Sequence, residues 1–215
     1  MVFDCDGVLL NSNRIKTQAF YKAALPYGEE VARALVEYHI QHGGISRYHK
    51  FEYFLTHIVP GESNGPSFED LLDTYANEVR DGLLECEIAE EISELRLMSS
   101  NEKWLVVSGG DQLELRDVFK TRGLESRFDG GIFGSPKSKF DIIAHELMAG
   151  NILKPALMLG DSKLDHDVAS FFGLDFVFVS DWTEFREWQT FVLDNKVQSF
   201  TSVKNALIAY RSLND

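Results

Sequence analysis

Long apolar runs are missing from this 215-residue chain. No stretch approaches the roughly 18 consecutive apolar residues of a membrane span, and the run FFGLDFVFVS at 171–180 is short and broken by Gly173 and Asp175. A membrane protein is therefore not expected. Cysteine is scarce: Cys5 and Cys86 have no metal-ligand spacing, which points to a reducing, cytosolic setting. Cys5 reads as a small buried apolar residue of the first strand. Basic residues are the minority, 21 against 34 acidic, for a net charge of -13. A nucleic-acid partner needs a basic face and is not expected. A small anionic substrate stays open, because a local cation can reverse the sign inside one pocket. There is no internal repeat or low-complexity tract. A first strand that begins at once leaves no room for a signal peptide. Only three residues precede Asp4, so that strand is short, and a trimmed start stays open.

What is present is a chain that can bury a real core, 44% hydrophobic with 16 Phe. The length fits one large domain or one domain carrying an insertion. From about residue 12 to 85 the pattern is helical. Ile15, Ala19, Phe20, Ala23 and Ala24 share one face of a first helix, for which Ser12 or Asn13 is the expected cap. A second helix from Glu29 stops at Gly43-Gly44, a third covers about 47–58, and Ser67 caps a fourth. A fifth is expected over about 87–99. Beyond it strands alternate with helices: 103–107, 130–133, 156–159 and 176–179 read as strands, with helices after each and the last two over about 183–193 and 202–213. That alternation predicts an α/β fold, a parallel sheet with helices on both faces, whose ligands bind at the carboxyl ends of the strands.

The chemistry-bearing residues fall at those ends. MVFDCDGVLL opens the chain, and a turn at Gly7 would leave Asp4 and Asp6 together at a strand tip. Two carboxylates that close repel unless a cation lies between them. A calcium loop is ruled out, since its twelfth position would be Ile15 rather than Glu. Ser108-Gly109-Gly110, the loop Gly134–Lys139 and Gly160-Asp161 with Asp165 each follow another strand. Phosphoryl transfer needs a nucleophile, a proton donor for the leaving oxygen, cations and oriented hydrogen-bond donors. Asp4 suits the first role and Asp6 the second. Asp161, Asp4 and the main-chain carbonyl of Asp6 suit Mg²⁺, with Asp165 binding it or its waters. Ser108 and a lysine, Lys137 or Lys139, suit the phosphate.

This set resembles the haloacid dehalogenase-like hydrolase superfamily, whose four motifs correspond to DCDGVLL, the strand ending at Ser108, GSPKSK and GDSKLD. The resemblance implies a three-layer Rossmann-like core over 1–11 and 88–215. The helical stretch 12–87 is similar to the family's α-helical C1 cap, as in phosphoglycolate phosphatase-like and β-phosphoglucomutase-like members. It also implies a Mg²⁺-dependent phosphatase acting on a small phosphorylated metabolite. Asp4 would be the nucleophile and Asp6 the acid/base, and the presence of Asp6 favours phosphate over halide chemistry. A phosphomutase and an inactive binding protein are the rival readings. Two departures stand out. Gly109-Gly110 replaces the side chain usual after the motif serine, and the lysine is ambiguous, with Lys139 favoured. In the helical stretch, Gly43-Gly44 followed by Arg47 and Lys50, three apart on one face, is the expected substrate contact. Gly109, Asn11 and Arg14 are further candidates. Nothing in the sequence sets an oligomeric state.

Overall fold

The computed structural model describes residues 1–61, 64–99 and 101–212. Positions 62–63 of the turn-rich connector expected at 60–66, and Leu213 at the end of the last expected helix, lie outside the described residues. The elements run β1 (Val2–Phe3), α1 (Asn13–Ala24), α2 (Glu29–Gln41), α3 (Arg47–Tyr53), α4 (Phe68–Glu85), α5 (Ile92–Met98), β2 (Leu105–Asp111), α6 (Gln112–Thr121) and β3 (Gly131–Ser135). They continue with α7 (Lys139–Met148), β4 (Leu157–Gly160), α8 (Lys163–Phe172), β5 (Asp175–Val179), α9 (Trp188–Asp194), β6 (Gln198–Phe200) and α10 (Val203–Ser212).

All six strands pair in parallel in the order β3-β2-β1-β4-β5-β6. The two-residue β1 is central. It holds that place because it pairs on both sides, Val2 with Leu105 and Met158, Phe3 with Val106 and Leu159. The Asp4 N–H extends the ladder by donating to the Leu159 carbonyl at 2.9 Å. Chain order reverses between β1 and β4, so the crevice where ligands bind opens beside Asp4.

Alternation along the strands divides the core. Val2, Leu105, Val107 and Met158 face α7 and α8, where Ile142, Ile143, Val168 and Ala169 meet them. Phe3, Val106, Leu157 and Leu159 face the other way, toward Leu115 and Phe119 of α6 and Ala206 and Leu207 of α10. Helices α1–α4 pack on one another around Phe20, Leu35, Phe51, Leu71 and Tyr75, which are continuous with this second face of the core. Their two connections to the sheet are tied together: the Asn11 N–H donates to the Glu87 carbonyl and the Ala89 N–H to the Leu9 carbonyl, both at 2.9 Å.

Several expectations need correction. The strand expected at 103–107 runs from Leu105 to Asp111 and so contains Ser108, and the helix expected over about 87–99 begins at Ile92. The helix expected from Thr183 begins at Trp188, because Thr183 turns its hydroxyl onto the Asp161 carbonyl at 2.7 Å. The strand β6 was not expected, since three residues, two of them polar, carry no pattern of their own and pair only because β5 offers an edge. Among the described residues no helix is long and apolar enough to cross a membrane.

Candidate active site

The site is built on the turn after β1. Gly7 has φ +75°, and a Cβ there would stand 2.1 Å from Asp161 Oδ2 and 2.4 Å from Asn13 Nδ2. Only glycine meets both conditions, and the close approach sets Asp161, at the end of β4, against the first loop.

Asp4 is 3% exposed. The polar contacts of its carboxylate fall on Oδ1, from the Cys5 N–H at 2.7 Å and the Lys139 ammonium at 2.9 Å. Oδ2 is left to the cavity. Lys139 is also 3% exposed and reaches Asp165 Oδ1 at 2.6 Å. Its position at the start of α7 is fixed by Ser138, which caps that helix in a reciprocal pair with Asp141. Lys137 is exposed, so the nearby lysine is Lys139. Burial lowers the Lys139 ammonium's affinity for its proton, but Asp165 and Asp4 raise it further and keep it charged.

Asp4, Asp161 and Asp165 are all buried, and one carboxylate oxygen from each lies within 4.8 Å of the others. Three carboxylates against the single Lys139 ammonium leave two negative charges uncompensated, the complement of one divalent cation. The strain is visible in the acids. Burial, then Asp165, push Asp4 up to about 7 against the pull of Lys139. Burial and Asp4 push Asp161 well above the carboxylate range. The donor set, hard oxygens only, fits Mg²⁺. Asp165 differs from the other two, because its oxygens already accept from Lys139, the Ser162 N–H and the Ser162 hydroxyl. It orients Lys139 and caps α8.

Asp6 takes three donors: the Ser12 hydroxyl on Oδ1 at 2.6 Å, and on Oδ2 the Lys16 ammonium at 2.5 Å and the Ser108 hydroxyl at 3.4 Å. Burial raises the Asp6 carboxyl, but Lys16 and Ser12 outweigh it and hold it below the usual range. Ser12, one of the two expected caps, does occupy the N-cap position of α1, but its hydroxyl serves Asp6 and makes no cap hydrogen bond.

A cavity of about 340 Å³ opens above these groups. Asp4, Asp6, Asp161, Gly109, Arg47 and Lys50 all line it, while Ser108, Lys139 and Asp165 sit beneath through their contacts with Asp6 and Asp4. Asn11 is a correction. It does not line the cavity, because its amide turns to Glu87 at 3.3 Å where the chain leaves the sheet. Arg14 is exposed and lies outside it too. Arg47 is a partial correction: it lines the cavity, but both terminal guanidinium nitrogens donate to the Glu114 carboxylate.

The residues that sequence reasoning missed are Asn13, Lys16 and His39. Asn13 Nδ2 bridges Asp161 Oδ2 at 2.8 Å and the Trp182 carbonyl at 2.9 Å. Lys16 carried a signal, since it stands four residues before Phe20 on the buried face of α1, where a lysine needs a partner.

Gly109 explains its own presence. A Cβ there would come within 2.2 Å of the Gly44 carbonyl oxygen, so the loop after α2 lies directly on the last residues of β2. Tyr48 donates to Asp111 at 2.9 Å beside it. Gly109→Ala is expected to push the Gly44 loop away, open one wall of the cavity and lower kcat/KM at least about tenfold, as misplacements near 1 Å do. Steady-state kinetics check it, and unchanged kinetics would show that this contact does not shape the site.

The haloacid dehalogenase-like hydrolase family matches residues 1–179. No match is found among curated proteins. Among solved structures, a haloacid dehalogenase-like family protein from Streptococcus pneumoniae is 22% identical with a TM-score of 0.68, covering 97% of this chain and 96% of that one. A predicted phosphatase from Clostridium acetobutylicum is 20% identical with a TM-score of 0.74, covering 98% and 97%. A β-phosphoglucomutase from Clostridium difficile is 18% identical with a TM-score of 0.70, covering 98% and 94%. These likenesses extend over the whole fold.

Proposed function

The chain belongs to the haloacid dehalogenase-like hydrolase family, and from that premise we propose that it is a Mg²⁺-dependent phosphatase of a small phosphorylated metabolite. The observation that carries the reading is Asp4: a buried carboxylate at the tip of the central strand, one oxygen held by Lys139 and the other facing a cavity. In the first step Asp4 Oδ2 bonds to phosphorus and the P–O bond to the alcohol breaks. Asp6 gives its proton to the departing oxygen. In the second step Asp6 takes a proton from water, whose oxygen attacks phosphorus and returns Asp4 as a carboxylate. The Lys16 contact keeps Asp6 ionised, as the second step requires, so donation in the first requires Lys16 to move off when substrate enters. Ser108 and Lys139 hold phosphoryl oxygens. Asp4, Asp161 and the Asp6 main-chain carbonyl would hold Mg²⁺, which supplies positive charge to the phosphoryl group.

The division of labour in this reading assigns 1–11 and 88–215 to a catalytic core and 12–87 to a cap. Contacts from α1 and α3 onto the proposed core support it, namely Asn13 to Asp161 after β4 and Arg47 to Glu114 of α6. The setting is cytosolic, in keeping with two unpaired cysteines. The expected result is release of inorganic phosphate from p-nitrophenyl phosphate with Mg²⁺ and its loss with EDTA. Absence of release with every divalent metal tried would overturn the phosphatase. Transfer of phosphate between positions of one sugar, without release, would replace it with a mutase.

A further inference from the structure

Asp161 is held on one side only. Its Oδ2 lies 2.8 Å from Asn13 Nδ2, and the same nitrogen lies 2.9 Å from the Trp182 carbonyl oxygen. That carbonyl can only accept, so it keeps the nitrogen of the Asn13 amide on this side and leaves the second hydrogen to Asp161. Oδ2 is also crowded against the first turn. A Cβ on Gly7 would stand 2.1 Å from Oδ2 and 2.7 Å from Cγ. The main chain of Asp161 is fixed separately. Thr183 donates to its carbonyl at 2.7 Å, and the Phe185 N–H donates to the Thr183 hydroxyl at 3.1 Å. Asn13 is the one donor to the Asp161 carboxylate among the described residues, which leaves Oδ1 without any.

The other acids are limited in the same way. Asp4 has Oδ1 taken by the Cys5 N–H and Lys139. Asp165 has one oxygen on Lys139 and the other on Ser162. The cluster thus offers a cation single oxygens, Asp4 Oδ2 and Asp161 Oδ1, and no carboxylate free to chelate with both. Cation size makes that matter. Ca²⁺ takes roughly six to eight oxygens and readily accepts both from one carboxylate, whereas Mg²⁺ takes a strict octahedron at about 2.0–2.1 Å and keeps several waters. Of the two restraints, the one on Asp4 is a charged lysine. The one on Asp161 is a single neutral amide from the first residue of α1.

We infer that Asn13 sets the cation specificity of the site: by holding Oδ2 against the first turn it makes Asp161 a one-oxygen ligand, and so selects Mg²⁺ over Ca²⁺. The inference rests on the Mg²⁺-dependent reading above. Without Asn13 the carboxylate is free to turn about its side-chain bonds and present both oxygens, which favours the larger ion. Asn13 acts through Asp161 and is a positioning residue.

The test compares the two ions on metal-stripped protein. The native chain, Asn13→Ala and Asn13→Ser are melted against rising MgCl₂ and, separately, CaCl₂, and each affinity is taken from the rise in Tm. Alanine vacates the place of the amide and serine stops one bond short of it, so either variant serves if the other folds poorly. The ratio of Mg²⁺ to Ca²⁺ affinity should fall about tenfold or more in the variants, with the loss on Mg²⁺. In assays of phosphate release with Mg²⁺ present, added Ca²⁺ should inhibit the variants at correspondingly lower concentration than the native chain. A ratio that does not fall would overturn the inference, and equal losses for the two ions would make Asn13 a general support of the acidic cluster. A native chain that binds neither ion would overturn this inference together with the Mg²⁺ reading. Binding without hydrolysis of any phosphomonoester tried would overturn the phosphatase alone, and the ratio would still decide the role of Asn13.

Discussion

Asp4→Asn is expected to lower phosphate release by about a thousandfold or more, because an amide oxygen cannot serve as the nucleophile, and at the same time to raise the melting temperature of the metal-free protein at pH 8. The second half follows from the acids around it. The Asp4 carboxyl sits at about 7 in the fold against an ordinary 3.8, since burial and Asp165 oppose its ionisation. A group whose pKa is raised on folding contributes stability that is complete below its unfolded value and lost as pH rises through its folded one. For Asp4 that window runs from about 4 to about 7. Above it the native chain carries an ionised carboxylate that the asparagine variant does not. Lys139 keeps a partner in the variant, because Asp165 remains at 2.6 Å. The gain should therefore appear at pH 8 and vanish near pH 4. Thermal melts across that range, beside phosphate-release assays, check both halves. A variant that is inactive and also less stable at pH 8 would mean that Asp4 is chiefly a structural partner of Lys139.

Lys139→Met is expected to abolish measurable phosphate release and to cost roughly 3–5 kcal/mol, the usual penalty for leaving a buried ion pair half unmade. For a chain of this length that is a drop of roughly 10 °C in Tm. Two buried carboxylates, Asp4 and Asp165, would lose their shared cation. Lys139→Met/Asp165→Asn should recover part of the stability and none of the activity, which separates the structural share from the chemical one. Lys137→Met, at an exposed position, should leave both quantities within error. Activity retained in Lys139→Met and lost in Lys137→Met would reverse the assignment.

The sequence displayed the parts of the site that lie in or just beyond the carboxyl-terminal ends of strands, because the strand-then-polar-residue pattern is local. Asp4, Asp6, Ser108, Lys139 and Asp161 could all be named from it. What it hid were pairings over long separations. Arg47 and Lys50 look alike on one helical face, and nothing local says that Glu114, 67 residues on, takes one and leaves the other. Ser12 matched a helix cap, and only the folded loop turns its hydroxyl to Asp6. Asn11 and Asn13 are equally polar and two apart. The start of α1 places Asn13 at Asp161 while Asn11 stays with Glu87 at the crossing between the layers. The strand β6 lacked any pattern, being short and supported by a neighbour rather than by its own residues.

The central claim is that Asp4 is the residue that takes the phosphoryl group, and trapping it is the direct measurement. The protein is mixed with Mg²⁺ and a hydrolysed phosphomonoester, quenched within a turnover and reduced with borohydride, which converts an aspartyl-phosphate to homoserine. Peptide mass spectrometry should then find homoserine at position 4, with Asp6 and Asp161 unaltered. Phosphate release at full rate with no modification at position 4, or with the modification at another aspartate, would contradict the account.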